Sequence, residues 1–556
     1  MNSRNHKLPR SFSVAKTSVL FTARTLVALG FMCFFLFPTS IFAATFTSRV
    51  SGNWNEPLTW NSPGAGIPIA GDVVTINSNH TVTITVNAAC TSVTFVNNST
   101  LTISGTFTLN VSGTFTMPVS AGNTPITFNV GAGIVTVGGL FKMDGGSGNA
   151  SKKNDVTIST GTLNLNGGFT TATTRCNVTF SGAGVLNISG AISANPMTLT
   201  AGTGTVNYTG STAQDIWQLI TPSTAYNNLG VSGTAIKTST GILTVPGVLT
   251  VASGGTLQLT AAGTALNYTG TVAGTGKVLY SSASAQTVSG VTYFDLEFSG
   301  AGAKTIAAGT TITVGNDWTV GSATTLTTTA AAVVTGGISG SGAITMGSGT
   351  ISLAGNWTNN GTFTPGTGTV IYNGSTQTIA GLTYNNLQTS NTGVKTLAAN
   401  TTANNILTIG ASTTLNLSSF TLTLSAAGTP LVSNGTFTPS TSTVNFSNAG
   451  SVNIPALNYN SLNITGGPRV LANVGTSGIA AVFTPGAGAF TVTGSTVNFN
   501  GAAQTIPAFT FNDLIVSGSL AKTILTATVV NVNTIEIQNG PTLDLPGTAQ
   551  LNITKP

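Results

Sequence analysis

The residues with most capacity for chemistry in this chain recur as a triplet: an aromatic ring, a leucine three positions on, then a basic residue. The copies are Tyr226-Leu229-Lys237, Tyr293-Leu296-Lys304, Tyr384-Leu387-Lys395, Tyr459-Leu462-Arg469 and Phe511-Leu514-Lys522. Aromatic and base are 11 positions apart in four copies and 10 apart in the fourth. Only 5% of the chain is charged, so a repeated charge marks a repeated unit and a candidate recurring binding site. Glycoside cleavage would need paired carboxylates. The close pair in a strand-like run is Asp295 and Glu297, but Asp295 takes the place held by Asn228, Asn386, Ser461 and Asp513 in the other copies, which points to a structural role. His80 falls in a predicted turn, where a solvated imidazole is expected rather than a general base. Lys142, Asp144, Lys152, Lys153 and Asp155 read as a loop around Asp144–Asn149, with acid spacing that fits no standard calcium loop. No phosphate-binding loop and no nucleophile elbow occurs. The expectation is therefore no catalytic residue, no cofactor-binding residue, no metal ligand and no enzyme activity.

The elements that would carry these residues are short strands. Runs such as Val82–Val86, Thr100–Ile103 and Thr106–Leu109 alternate apolar and polar residues, the period of a strand with one face buried. Gly, Asn and Ser separate the runs. Tyr384 and Leu387 are three apart, so both can face inward only if Asn385-Asn386 turn a corner between them. The basic residue is assigned to a second corner, facing solvent, where a charge also blocks edge pairing. A glutamine stands 7 residues before the aromatic in three copies (Gln286, Gln377, Gln504) and 12 before in the first (Gln214), with Val452 in that place in the fourth. Successive aromatics are 67, 91, 75 and 52 residues apart, and the last step is too short for a sandwich domain of about 100 residues. These features predict an all-β chain forming a right-handed parallel β-helix with an N-terminal β-rich cap, the rival being tandem β-sandwich domains. At about 20–25 residues per coil each module spans several coils, near 205–260, 277–328, 361–417, 435–475 and 483–545 of a solenoid over 111–556.

Residues 1–43 read as a secretory signal peptide: Arg4, Lys7, Arg10, Lys16 and Arg24 precede the apolar run Leu26–Phe37, with a cut after Ala43. Without it 12 basic residues face 11 acids, so the basic balance is a leader effect and nucleic-acid binding is not expected. No membrane-spanning segment is expected after cleavage. Cys90 and Cys176 each sit beside a β-type run and read as small buried apolar residues, with a disulfide as the alternative.

The richest stretch is Ser51–Trp60 followed by Ile67–Ile76. Pro68 to Asp72 would turn with the Asp72 carboxylate capping it, Val74 and Ile76 start a strand, Asn77–His80 reverse it, and Trp54 and Trp60 cap one end of the stack. Trp60, Pro68, Gly71-Asp72-Val73 and the following strand resemble the opening of the eight-glycine domain, a β-rich extracellular module, over a cap placed at 44–110. The run Thr496-Val497-Asn498-Phe499-Asn500-Gly501-Ala502-Ala503-Gln504-Thr505-Ile506 and its relatives resemble repetitive surface proteins of gliding Gram-negative bacteria. That resemblance implies a secreted β-helical adhesin exported by type IX secretion. The route normally uses a C-terminal sorting domain, and the closing run Asn552–Pro556 does not read as one, so a longer protein or another route is expected.

The resulting expectation is a secreted, surface-associated structural or adhesin-like rod that binds a surface ligand such as a glycan or another envelope component. Two alternatives stand beside it: an extracellular polysaccharide-active enzyme on a β-helix, and ice binding through Thr-x-Thr ladders. The second needs Thr-x-Thr at one fixed coil interval, and the uneven spacing of the aromatics argues against it.

Overall fold

The computed structural model describes residues 43–555 apart from 62–65, 122, 147–150, 195–196, 217–224, 330–331, 335 and 539. The signal-peptide expectation for residues 1–43 thus lies almost wholly outside the described residues, as does the tip of the loop after Asp144.

From Thr45 onward the chain winds as a right-handed parallel β-solenoid of about 22 coils. In the N-terminal part each coil contributes one strand to each of three faces. The first face runs from Thr45–Thr47 through Val73–Ile76 and Ser92–Phe95 to Ile192–Ala194. The second runs from Gly52–Asn53 through Thr81–Ile84 and Thr100–Ile103 to Thr198–Thr200, and the third from Ala88–Cys90 to Leu249–Val251. Every pairing between named strands is parallel, which excludes the antiparallel sandwiches held as the rival architecture. No sheet boundary falls at residue 110: strands on both sides of it belong to the same three faces.

Alternation explains the fold. In Thr100–Ile103 the leucine and isoleucine are buried and the threonines half-buried on the outside. The same pattern recurs in Thr81–Ile84, Thr162–Leu165 and Thr421–Leu424. β-Branched Val, Ile and Thr suit a pleated, half-buried surface, and each fully buried Val, Leu, Ile or Phe contributes about 1.5–3 kcal/mol. Stacking carries like residues onto like. Phe115, Phe141 and Phe169 form one column, with ring centroids 4.9 and 5.6 Å apart, and Phe95 packs diagonally against Phe115 at 5.3 Å.

The head behaves as its residues suggest. Trp54 and Trp60 are buried edge to face at 5.2 Å, and their indole N–H groups donate to the carbonyls of Pro68 and Trp54. The Asp72 carboxylate accepts the Ile69 N–H at 2.8 Å and so closes the Pro68–Asp72 turn. His80 is tied rather than free: its Nδ1 lies 2.9 Å from Ser48 Oγ, which also accepts the Asn77 N–H. Trp54→Ala is expected to cost about 3–5 kcal/mol, a large-to-small core change, and to act on the first coils alone because solenoid units contact only their neighbours. Hydrogen exchange would show lost protection in Val73–Ile84 and normal protection beyond residue 200.

Candidate functional site: the repeated Gln–Tyr–Lys module

The five repeated basic residues are not at a solvated corner. Lys237, Lys304, Lys395, Arg469 and Lys522 are all 0% exposed and point into the core. Each lies two residues before another inward residue, as Lys395 does before Leu397 and Lys304 before Ile306, so strand alternation itself turns the base inward. A bare buried cation is costly, which argues for the solvated corner; the cost is offset by carbonyls one coil away and by one just before the base, as Lys237 finds at Gly210 and Ala235.

The third module shows the arrangement. Strand Thr369–Tyr372 ends one edge; Gln377 opens Gln377–Ile379; Tyr384 ends Thr383–Tyr384; Leu387 lies in Asn386–Thr389; Lys395 lies in Gly393–Leu397. Tyr384 and Leu387 both face inward around the Asn385 corner, as the spacing requires. Gln377 stacks directly under Lys395 in the parallel ladder. The Gln377 amide donates to the carbonyls of Leu353 (2.8 Å) and Gly355 (2.6 Å) in the coil below, while its oxygen accepts the Gly374 N–H. Lys395 Nζ then donates to the carbonyls of Gly374, Ser375 (3.3 Å) and Thr392 (2.8 Å). One peptide, that of Gly374, is thus held by the glutamine through its N–H and by the lysine through its carbonyl. Gly393 carries φ +83°, and a Cβ there would sit 1.8 Å from Ser375 O, so the tight approach beside the lysine demands glycine.

The same circuit closes in three other modules. Gly210 is shared by Gln214 (2.9 Å) and Lys237 (2.7 Å), Ser282 by Gln286 (3.0 Å) and Lys304 (2.9 Å), and Gly501 by Gln504 (2.8 Å) and Lys522 (3.1 Å). The fourth module reaches it by other residues. Val452 replaces glutamine, and Asn448 takes over both tasks, accepting the Gly450 N–H at 2.6 Å and donating to Ser425 O. The longer Arg469 fork spans the carbonyls of Gly450, Pro468, Asn448 and Thr465, with its Nε left unpartnered.

In the first three modules the aromatic meets a second ring that ends the preceding strand: Tyr208 with Tyr226, Tyr280 with Tyr293 and Tyr372 with Tyr384, Oη to Oη at 2.9, 2.9 and 2.8 Å. In the third module Tyr384 donates to Ala380 O (2.9 Å) and the Ala380 N–H donates to Tyr372 (3.2 Å), so the Tyr372 proton goes to Tyr384. Ser289 plays the part of Ala380 in the second module. In the fourth and fifth, Pro455 and Pro507 stand there, and proline has no N–H to offer. The ring that would have received it is phenylalanine in both, Phe446 and Phe499.

These modules are where the sheets restart. Gln214, Gln377, Val452 and Gln504 each lie in the first strand of a new sheet, as do Tyr293, Tyr384 and Tyr459. From the second module on the coil is short there: Val278 pairs with Leu296, Val370 with Leu387, Val444 with Leu462 and Val497 with Leu514, whereas a longer coil in the N-terminal part separates Leu101 from its partner Phe128. A short coil breaks the ladder at its corners, and glutamine and lysine satisfy the carbonyls so exposed.

Burial lowers the pKa of all four lysines and of Arg469 from its ordinary value. No carboxylate pairs with them: the ion pairs among the described residues are Lys142–Asp144, Lys153–Asp155 and Lys277–Glu297, all partly exposed. Carbonyl dipoles replace the hydration shell, as around ions in carbonyl-lined filters. An amine with its hydrogens bound and no exposure has no route to a ligand.

The other residues singled out disperse. Glu297 is tied to Lys277 at 2.6 Å, and Asp295 accepts the Asn316 side chain and the Asp317 N–H. Cys90 and Cys176 are free and buried, and burial pushes the Cys90 thiol up to about 12. No group of three or more His, Cys, Asp or Glu capable of holding a metal occurs among the described residues. No helix among them is long and apolar enough to cross a membrane. A concave feature lies on the face begun by Val452–Ile454: an open groove of about 490 Å³ over Asn453, Val470 and Thr491, edged by Thr429 and Asn473. Its lining is uncharged. The chain matches no family model, no curated protein and no solved structure.

Proposed function

We propose that this chain is a secreted, cell-surface rod of the adhesin-like kind, without catalytic activity, that binds glycans or other surfaces through neutral faces. The observation that carries the reading is the fate of the repeated ionisable groups. All five are spent inside the core on closing coils, and threonine and asparagine recur along the outward columns, as in Thr81–Ile84, Thr100–Ile103 and the Asn164, Asn187 and Asn207 ladder. Such a build invests its polar chemistry in rigidity and leaves hydroxyls and amides for contact. The groove over Asn453, Val470 and Thr491 offers uncharged donors and acceptors beside apolar surface, a combination suited to a neutral saccharide. The resemblance to gliding-bacterium surface proteins and the signal-like leader are consistent with that location.

The test pairs two measurements. A strain lacking the gene is expected to attach less to glycan-coated surfaces, and beads carrying the purified chain are expected to bind such surfaces directly. Unchanged attachment together with inert beads would sink the proposal. New reducing ends or unsaturated sugars from incubated polysaccharides would replace it with the polysaccharide-active enzyme.

A further inference from the structure

The outward side of the second face carries two parallel columns of hydroxyls. One runs coil by coil from Thr81 to Thr198 and the other from Thr83 to Thr200, six ranks deep, each rank in direct register with the next. Nine of the twelve positions are threonine; the exceptions are Asn129, Asp155 and Asn177. The sequence intervals between ranks are uneven, short from Val82 to Leu101 and much longer from Phe128 to Val156, yet the register holds because corner loops absorb the difference. The objection drawn from uneven aromatic spacing therefore does not apply to this face.

The three N-terminal faces differ in how their outward groups are used. On the third, Asn164, Asn187 and Asn207 bond one another in a closed amide ladder at 2.8 Å per step. On the first, the strands past residue 115 are three residues long and carry one outward column, interrupted by Lys142. On the second, Thr102 alone among the nine threonines has its hydroxyl engaged within the chain, by Asn129. The other hydroxyls face outward on a fixed grid: about 4.8 Å between coils and about 6.7 Å between alternate residues of a strand. χ1 of a β-branched residue is stiff, so neighbouring hydroxyls and methyls repeat the same orientation. A grid of that size lies close to the oxygen repeats on a prism face of ice.

We propose that this face binds ice. Water ordered by the hydroxyl columns joins the lattice, with the ordering cost already met by the rigid stack. The inference does not rest on the adhesin reading. Asp155, tied to Lys153 at 3.1 Å, is the one charged interruption within the columns.

Thermal hysteresis and inhibition of ice recrystallisation by the purified secreted chain test it. The expected result is faceted crystals and slowed recrystallisation, both lost in Thr157→Arg with the circular dichroism unchanged and both strengthened in Asp155→Thr. Thr327→Arg, on a different sheet, should leave them as they were. Rounded crystals with the unsubstituted chain, or full activity in Thr157→Arg, would overturn the proposal. So would retention on powdered cellulose or chitin that Thr157→Arg abolishes while ice is unaffected, which would make the face a saccharide platform.

Discussion

Replacing Lys395 by alanine is expected to open the third module at a cost of about 3–5 kcal/mol, because a buried stem is lost as well as a donor. The carbonyls of Gly374, Ser375 and Thr392 lose their shared partner, and Gly374 keeps only the bond from its N–H to Gln377. Lys395→Met keeps most of the stem volume and should cost about 1–3 kcal/mol, the penalty of unsatisfied buried acceptors alone. The difference between the two separates packing from hydrogen bonding. Salt should matter little, since no counter-ion is involved and the site is shielded from solvent. A long stack need not unfold in one step, so the measurement is hydrogen exchange resolved by segment. Lost protection should concentrate in residues 369–397 and leave Thr81–Ile103 unaffected. Equal protection in both variants and the unsubstituted chain would show that the carbonyl cage contributes nothing.

Alkali should melt the coils that carry the buried tyrosines, above the ordinary tyrosine range. Burial raises the phenols of Tyr280, Tyr293, Tyr384 and Tyr459, and pushes Tyr372 up to about 12. A group raised on folding holds its proton longer in the folded state, so its stabilisation is complete below pH 10 and is lost as pH climbs through the folded value. The Cys90 thiol acts in the same sense from about pH 9 upward. The lysines act in the opposite sense: lowered on folding, they bind fewer protons than in the unfolded chain, so their charging penalty falls as pH rises toward 10.5. Stability should therefore hold or rise slightly to about pH 10 and collapse between pH 10 and 12. The tyrosinate absorbance of the buried rings should appear together with loss of the β-sheet circular dichroism. Gradual ionisation at ordinary pH values with the sheet signal intact would show that the ring pairs are open to solvent.

Much of this architecture was legible in residue order. Alternating Thr-Leu-Thr-Ile runs announce strands with one buried face, Asn385-Asn386 announces the corner between Tyr384 and Leu387, and Asp72 announces its turn. Each is a rule acting within about five residues, where backbone sterics and side-chain direction suffice. The glutamine was visible as a repeat, but its meaning was not. Gln286, Gln377 and Gln504 stand at one constant interval before Lys304, Lys395 and Lys522, the length of a short coil, and that interval was the available clue. The second ring, such as Tyr372 or Tyr280, has no local signal because its partner, Tyr384 or Tyr293, lies across a corner in a later strand.

The direction of the basic residues divides the two kinds of information. Alternation with Ile306, Leu397 and Ile524 points Lys304, Lys395 and Lys522 inward, whereas the desolvation of a charge argues for the outside. Only the stacking of coils settles the conflict, since each amine donates to at least one carbonyl 20 to 27 residues earlier in the chain as well as to a neighbouring one. The Thr-x-Thr grid has the same origin. Composition and alternation dictate that threonines face outward on a β-solenoid. Their alignment into columns depends on corner loops of different length closing to the same register, a long-range outcome of ladder hydrogen bonding and core packing that no local pattern encodes.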